Sequence, residues 1–414
     1  DFTFAPDLNK AAGESSGEVV FAGYGITAPH LNHNDYNDID VKGKVVLLQS
    51  GTPGEFPASE KAHFNLPVTK CEAAAKQGAV GVILLVSGVE AQTLAGLSRT
   101  SMAGITGYVN PDGNAFSAGT NIFKDVKFLA YARPSLFSDE IKDKTPKAIE
   151  IKLAAKQTTT TSEIKSENIV GLIQGTDSKL KDEYMVHTAH LDHVGIGKPV
   201  DGDSIYNGAH DNASGVSCLL EIAKLYTKAK LKRSVLIVFV TSEEKGLLGS
   251  GYFANNPTVP KEKIVADINT DMPTLIAPLL SIEPLGAAHS SLMNEVKNAA
   301  SFLNLDVMED HMPDQVRFVR SDQYSFIRQG IPALHVKYGL KTNDPSIDLR
   351  KVIDDWTAAH YHKPSDEFSD AAFNFDGAVT YVKLNFLIGW QVANTTDRPA
   401  WNKGDFFGQT FGKK

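Results

Sequence analysis

Apolar positions along the 414-residue chain come in two textures. In residues 18–150, short apolar runs are broken by turn residues. Residues 18–24 read as a strand, and 25–40 as a turn-rich stretch of Asn, His, Asp and Pro. Val41-Lys-Gly-Lys-Val-Val-Leu-Leu-Gln49 places a turn ahead of a buried strand. Residues 69–77 have helical spacing with Gly78 as a stop, and residues 79–86 form the continuous apolar run of a buried parallel strand. From about Glu167 strands and helices alternate. Residues 168–173 and 184–188 predict neighbouring strands joined by the turn Gln174-Gly-Thr-Asp177. Further strands are predicted over 234–241, 264–269 and 333–337, and helices over 212–230, 289–303 and 376–392. The helix at 212–230 sets Val216, Leu219, Leu220, Ala223 and Leu225 on one side. This alternation predicts a three-layer α/β/α domain with a mainly parallel sheet, whose ligands collect outside the carboxyl ends of the strands. The polar Thr tract at 158–161 reads as a linker or domain edge, and no internal repeat is found.

Length and composition agree with two globular domains. Lys and Arg total 41 against 49 Asp and Glu, a net charge of −8, which leaves no electrostatic footprint for nucleic acid. The longest apolar runs are too short to span a bilayer. Cys71 and Cys218 lie far apart, each in an apolar, helix-like stretch, and are expected as free buried thiols rather than a disulfide or zinc pair. Asp1-Phe-Thr-Phe4 has neither the basic nor the apolar region of a signal peptide.

The candidate chemistry sits at βα boundaries and nearby loops. His190-Leu-Asp-His193 follows the strand at 184–188, Asp211-Asn-Ala-Ser-Gly215 opens a helix, and Glu243-Glu244 closes the strand at 234–241. Asp271 closes the strand at 264–269, and Tyr361-His-Lys-Pro-Ser-Asp366 lies in a loop ahead of the last helix. His, Asp and Glu without nearby Cys suit a catalytic zinc, and two His with three carboxylates exceed the needs of one ion. They fit a two-metal site with a bridging carboxylate. In a Glu-Glu pair one carboxylate can bind metal while its neighbour handles a proton. Asp192 is placed to orient the His190 imidazole. Taken singly, each of these has a bland reading as a surface pair, a helix cap or dipole compensation. His187, His193, His210, His335 and His360 are read as structural.

Together these stretches resemble a known family. Ala189-His-Leu-Asp-His-Val-Gly195, Asn207-Gly-Ala-His-Asp-Asn-Ala-Ser-Gly215, Phe239-Val-Thr-Ser-Glu-Glu-Lys-Gly-Leu-Leu-Gly249, Asn269-Thr-Asp-Met272 and Tyr361-His-Lys-Pro-Ser-Asp366 carry the likeness. It is to the zinc peptidases that include secreted di-zinc leucyl aminopeptidases, folate-cleaving glutamate carboxypeptidase, glutaminyl cyclases and the transferrin receptor ectodomain. The likeness covers most of residues 165–395. It implies two zinc ions per chain, with Asp211 bridging, His190 and Asp271 completing one site, Glu244 and His362 the other, and Glu243 as general base. It also implies a cis peptide bond between Asp211 and Asn212. The first part resembles a protease-associated domain through Val20-Phe-Ala-Gly-Tyr-Gly-Ile26, Asp40-Val-Lys-Gly-Lys-Val-Val46 and Gly78-Ala-Val-Gly-Val-Ile-Leu84. The expected layout is a β-rich protease-associated domain over 15–160 and a zinc peptidase domain over 161–400, with terminal segments 1–14 and 401–414.

The resemblance implies a secreted or periplasmic exopeptidase, an aminopeptidase acting on peptides, while the charge balance and the short apolar runs predict no nucleic-acid partner and no membrane span. Relatives with this insert begin with a helix and strand of the peptidase domain, a segment that residues 1–17 do not supply. A carboxypeptidase or glutaminyl-cyclase-like member would differ in the pocket, and the cyclases resembled use one zinc. A non-catalytic receptor-like homologue would be expected to lose ligands or the base. Residues 274–283 and 318–331 are candidates to line the pocket, and Arg317 and Arg320 to attract an acidic substrate.

Overall fold

The computed structural model describes residues 2–86, 106–116, 126–142 and 145–412. The chain divides into two compact units, Asp1–Lys165 and Ser166–Lys414.

In the first unit, β1 (Phe2–Phe4), β2 (Ala12–Phe21), β3 (Val45–Gln49), β4 (Gly81–Leu85), β5 (Leu129–Ala132) and β6 (Lys147–Thr158) form one mixed sheet. The order is β1-β5-β4-β3-β2-β6. The central strands β2 to β5 pair in parallel and the outer strands β1 and β6 antiparallel. Strands β3 and β4 are β-branched and Leu-rich and buried along nearly their whole length, as strands covered on both faces must be. Helices α1 (Ala58–Phe64) and α2 (Pro67–Lys76) join β3 to β4. Cys71 on α2 packs with Val46, Leu48 and Val82 on one face of the sheet, while Val45, Leu47 and Phe128 belong to a core on the other.

The second unit holds a seven-stranded sheet. Its strands are β7 (Ile169–Ile173), β8 (Tyr184–His190), β11 (Ser234–Val240), β12 (Ile264–Asn269), β13 (Ser281–Leu285), β14 (Asp306–Val307) and β15 (Ala333–Tyr338). The short hairpin β9 (Gly195–Val200) and β10 (Asp203–Tyr206) stands outside it. The sheet order is β7-β11-β8-β12-β15-β13-β14, with β11, β8, β12 and β15 parallel. Helices α3 (Ser214–Lys228), α4 (Leu248–Asn255), α5 (Leu292–Phe302), α6 (Gln323–Ile327), α7 (Leu349–His360), α8 (Phe375–Asn394) and α9 (Phe406–Phe411) complete it. The core on the side of α3, α5 and α8 joins Leu219, Ile222 and Tyr226 to Val296 and Ala300, and to Tyr381, Leu384 and Ile388. Cys71 and Cys218 are both free and buried. Among the described residues, no helix is long and apolar enough to cross a membrane.

One expectation needs correcting. β7 and β8 are not neighbours, because β11 lies between them, antiparallel to β7 and parallel to β8. Residues 174–183 carry the chain across the start of β11. Gly175 N–H donates to Ser234 Oγ at 3.0 Å and Thr176 N–H to Leu231 O at 2.8 Å. A Cβ at Gly175 would sit 2.3 Å from Lys232 O, so only glycine passes there.

Candidate metal centre

Four of the candidate positions are delivered by the carboxyl ends of three adjacent parallel strands. His190 is the last residue of β8, Glu243 and Glu244 follow β11, and Asp271 lies just beyond β12. Asp211 comes from the turn that leads into α3, and His362 from the turn after α7. Gly208, with φ 66°, brings that first turn close, since a Cβ there would lie 2.3 Å from Asp211 O and 2.6 Å from the His193 ring. The Asp211–Asn212 peptide bond is cis, as the resemblance implies.

The two oxygens of Asp211 face different ways. Oδ1 lies 3.3 Å from His190 Nε2, which is also 3.3 Å from Asp271 Oδ1. Oδ2 lies 3.1 Å from His362 Nε2, itself 3.1 Å from Glu244 Oε2. His193 joins this second group, its Nδ1 2.9 Å from Glu244 Oε1 and 3.8 Å from Asp211 Oδ2. Two clusters of metal-ligating atoms, His190/Asp211/Asp271 and His193/Asp211/Glu244, thus share one carboxylate. His190, Asp211 and Asp271 are all buried.

A second layer of bonds fixes these side chains. His190 Nδ1–H donates to the main-chain oxygen of Asp192 at 3.0 Å, while the Asp192 carboxylate stands 3.8 Å away. That carboxylate accepts the backbone N–H groups of Glu243 (3.0 Å) and Glu244 (3.2 Å), clamping the Glu-Glu pair. Asn212 Nδ2 donates to His190 O and Thr270 O, and its Oδ1 accepts Met272 N–H, tying the carboxyl ends of β8 and β12 together. Behind Asp271, Ser321 Oγ donates to Oδ2 at 2.6 Å, and His335 Nε2 and Lys337 Nζ donate to the main-chain oxygen, each at 2.8 Å. Asp366 accepts the backbone N–H groups of His210 and Asp211.

The electrostatics follow from this crowding. Burial works against protonation of His190, but Asp211 and Asp271 overcome it and hold the imidazole well above its ordinary range. Burial likewise opposes His362, and Asp211 and Glu244 still lift it to about 9. Burial would raise Glu244, yet His193 and His362 hold it at about 2. Asp271 is pulled far below the carboxylate range, its burial outweighed by Lys337, His190 and His335. Glu243 is pushed well up by burial, with Asp322 and Asp271 adding repulsion. Burial also raises Asp322, to about 7.

These residues fit a cation. With Nδ1–H committed to a carbonyl, His190 turns Nε2 toward two carboxylate oxygens, three acceptors that need a proton or a metal ion between them. Glu244 Oε1 and His193 Nδ1 are buried and close to each other, yet among the described residues neither has a hydrogen-bond partner. Nitrogen and oxygen donors without sulfur match zinc in a catalytic setting.

The structure brings His190, Asp192, Asp211, Glu243, Glu244, Asp271 and His362 into one cluster. The histidines read as structural differ among themselves. His187 is in the core, 2.9 Å from the Tyr226 hydroxyl. His360 bonds Ser365 O. His210 stacks on Phe373 at 4.0 Å. His335 grips Asp271 from behind, and His193 stands among the candidate ligands. Only its place in the motif His-Leu-Asp-His marked His193, and nothing local marked Ser321, His335 or Lys337.

Comparison with known proteins bears on the family. The sequence profile of peptidase family M28 matches residues 168–387, and that of the PA domain residues 15–115. The chain is 29% identical over 228 residues to aminopeptidase Y of Saccharomyces cerevisiae, covering 53% of this chain and 38% of that protein. It is 26% identical over 349 residues to a probable leucine aminopeptidase 2 of Aspergillus oryzae, covering 80% and 59%. It therefore spans about two fifths to three fifths of the length of these curated relatives. The solved aminopeptidase from Aneurinibacillus sp. strain AM-1 is similar over 96% of this chain and 79% of its own, at 19% identity and a TM-score of 0.47. With the family profile covering more than half of its residues, the chain belongs to peptidase family M28.

Proposed function

We propose that this protein is a zinc-dependent exopeptidase, an aminopeptidase that releases the N-terminal residue of peptides, holding two zinc ions. The observation that carries this reading is the division of Asp211, one oxygen toward His190 and Asp271 and the other toward His362 and Glu244. Its relatives' names, aminopeptidase Y and probable leucine aminopeptidase 2, support the exopeptidase class.

In this reading His190, Asp211 and Asp271 hold one zinc, and Asp211, Glu244 and His362 the other, with His193 beside the second. Bound zinc would supply Lewis acidity toward the scissile carbonyl and toward an attacking water. Glu243 is the general base: it takes the proton of that water and passes it to the departing amine. Its raised affinity for a proton suits both halves of that task. Asp192 keeps Glu243 and Glu244 in register by holding their N–H groups, so that one carboxylate serves the metal while the other stays free.

The test is zinc content per chain together with hydrolysis of a leucyl anilide before and after chelation. About two zinc ions and activity that chelation abolishes is the expected result. One zinc without aminopeptidase activity would favour a cyclase or carboxypeptidase. No turnover after zinc is restored would overturn the catalytic reading.

A further inference from the structure

Two arginines, Arg317 and Arg320, lie close together on the segment that leads into Ser321 and the back of the metal centre, and the structure gives them different fates. Arg317 Nη2 donates to Glu283 Oε2 at 2.5 Å and also to Asp310, while Glu283 is paired with His311 as well. Glu283, Asp310 and His311 would otherwise resemble a third cation site. The guanidinium already fills that role, so the charge of Arg317 is spent inside the fold.

The turn Arg317–Val319 is fastened on every side. Phe318 is buried, stacks on His289 at 5.2 Å and meets Phe407 edge-on at 5.3 Å. Its carbonyl accepts Gln323 Nε2 at 2.6 Å. Val319 is buried. Beyond Arg320, Ser321 is buried with its hydroxyl on Asp271. Arg320 is the exception. It is exposed, and among the described residues no carboxylate lies within 4.0 Å of it. A free guanidinium thus stands on a rigid base, one residue from a side chain that touches a proposed zinc ligand. It is close enough to interact electrostatically with Tyr361, whose ring stacks on His362 at 3.9 Å.

We propose that Arg320 reads a carboxylate of the peptide substrate, so that substrates with an acidic group near the scissile bond are preferred over their neutral counterparts. This rests on the aminopeptidase reading above. The physical case is one of balance and shape. Asp192, Asp211, Glu243, Glu244 and Asp271 cluster at the proposed metal centre, and an anionic substrate needs a local cation to offset those that metal does not neutralise. A planar fork on a fixed backbone can take a carboxylate through two parallel hydrogen bonds and loses little freedom in doing so.

The carboxylate has three possible sources, and matched substrate pairs separate them in the zinc-loaded full chain. Glutamyl against glutaminyl anilide tests the N-terminal side chain. Leu-Glu-amide against Leu-Gln-amide tests the second side chain, and Leu-Leu against Leu-Leu-amide tests the chain terminus. In at least one pair the acidic member should be favoured about tenfold in kcat/KM, the effect of one charge-assisted hydrogen bond at about 1.4 kcal/mol per decade. Arg320→Gln should abolish that ratio through KM, Arg320→Lys should restore it in part, and added salt should shrink it. A merely structural role would lower both members of a pair alike. Hydrolysis of leucyl anilide with no discrimination in any pair, or a ratio untouched by Arg320→Gln, overturns the role of Arg320 alone. Failure to hydrolyse leucyl anilide overturns the aminopeptidase reading and this proposal with it.

Discussion

Asp366 holds Asp211 by its backbone: Asp366 Oδ2 accepts the Asp211 N–H at 3.1 Å, and Oδ1 accepts the His210 N–H at 2.9 Å. Ala209 N–H donates to the Asp366 main-chain oxygen at 3.1 Å. Asp366 follows His362 by four residues, so a single residue locks the loop of one candidate ligand to the loop of another. Asp366→Ala should therefore lower zinc retention and kcat/KM by about 10–100-fold, the usual cost of removing a support behind a metal ligand. Asp366→Asn, which keeps one acceptor oxygen, should lose less. Zinc analysis after dialysis against graded chelator, run beside kinetics, measures both. Full retention in the Ala variant would show that the loops stand without this tie.

Glu243 and Glu244 are adjacent and should fail in opposite ways. Glu243→Gln should cost about 10²–10⁴ in kcat, the range for loss of a general base, with zinc content and KM nearly unchanged. Glu244→Gln should reduce zinc content first, because its oxygens face His193 and His362. Metal analysis of both variants beside kcat decides the assignment. Loss of zinc from the Glu243 variant would move that residue into the ligand set.

Zinc uptake should release protons. In the metal-free cluster Asp211 and Glu244 hold His362 at about 9 and His190 is also raised, so at pH 7 a ligating nitrogen must first give up a proton. Affinity should then fall with pH, by about tenfold per unit for each proton displaced between pH 8 and 6. Calorimetry in buffers of different ionisation enthalpy counts those protons. Chelation should also lower Tm and added zinc restore it, since burying these carboxylates without a cation is costly. A proton count of zero would mean the two histidines are neutral before the metal arrives.

Much of this fold was legible because its signals are local. The apolar runs at 234–241 and 264–269 become the strands Ser234–Val240 and Ile264–Asn269, and the helix predicted at 376–392 is Phe375–Asn394. Strand order was not legible: the hydrophobic pattern of Ile169–Ile173 says nothing about which edge it joins, and a connection of ten residues reaches past one strand as easily as to the next. Helix α7 was missed too, because all its residues but Leu349 stay at least partly exposed and its pattern is dominated by the pairs Arg350–Asp354 and Lys351–Asp355. The candidate ligands stood out as a motif set at strand ends. His193, Ser321, His335 and Lys337 act through distances that only folding creates, and each taken alone in the sequence is an ordinary polar residue.

His187 offers a test of the core that leaves the metal centre alone. It is fully buried within β8, its Nε2 2.9 Å from the Tyr226 hydroxyl, and among the described residues no hydrogen bond or ion pair joins either side chain to a candidate ligand. Burial holds its pKa down at about 3, against about 6.5 in an unfolded chain. Because the folded value is the lower one, protonation favours the unfolded state. The stability His187 contributes is complete above pH 6.5 and is lost as pH falls toward 3, at no more than about 1.4 kcal/mol per unit. His187→Gln keeps a polar group for Tyr226 and removes the titration. At pH 8 the variant should be less stable by about 1–3 kcal/mol, through imperfect packing and bonding. Between pH 6.5 and 4.5 the wild type should lose about 2.5 kcal/mol that the variant does not, narrowing or closing the gap. Urea unfolding at matched pH values, with chelator present in both so that zinc does not enter, measures the difference directly. Parallel stability curves over that range would show that His187 takes up its proton without opening the core.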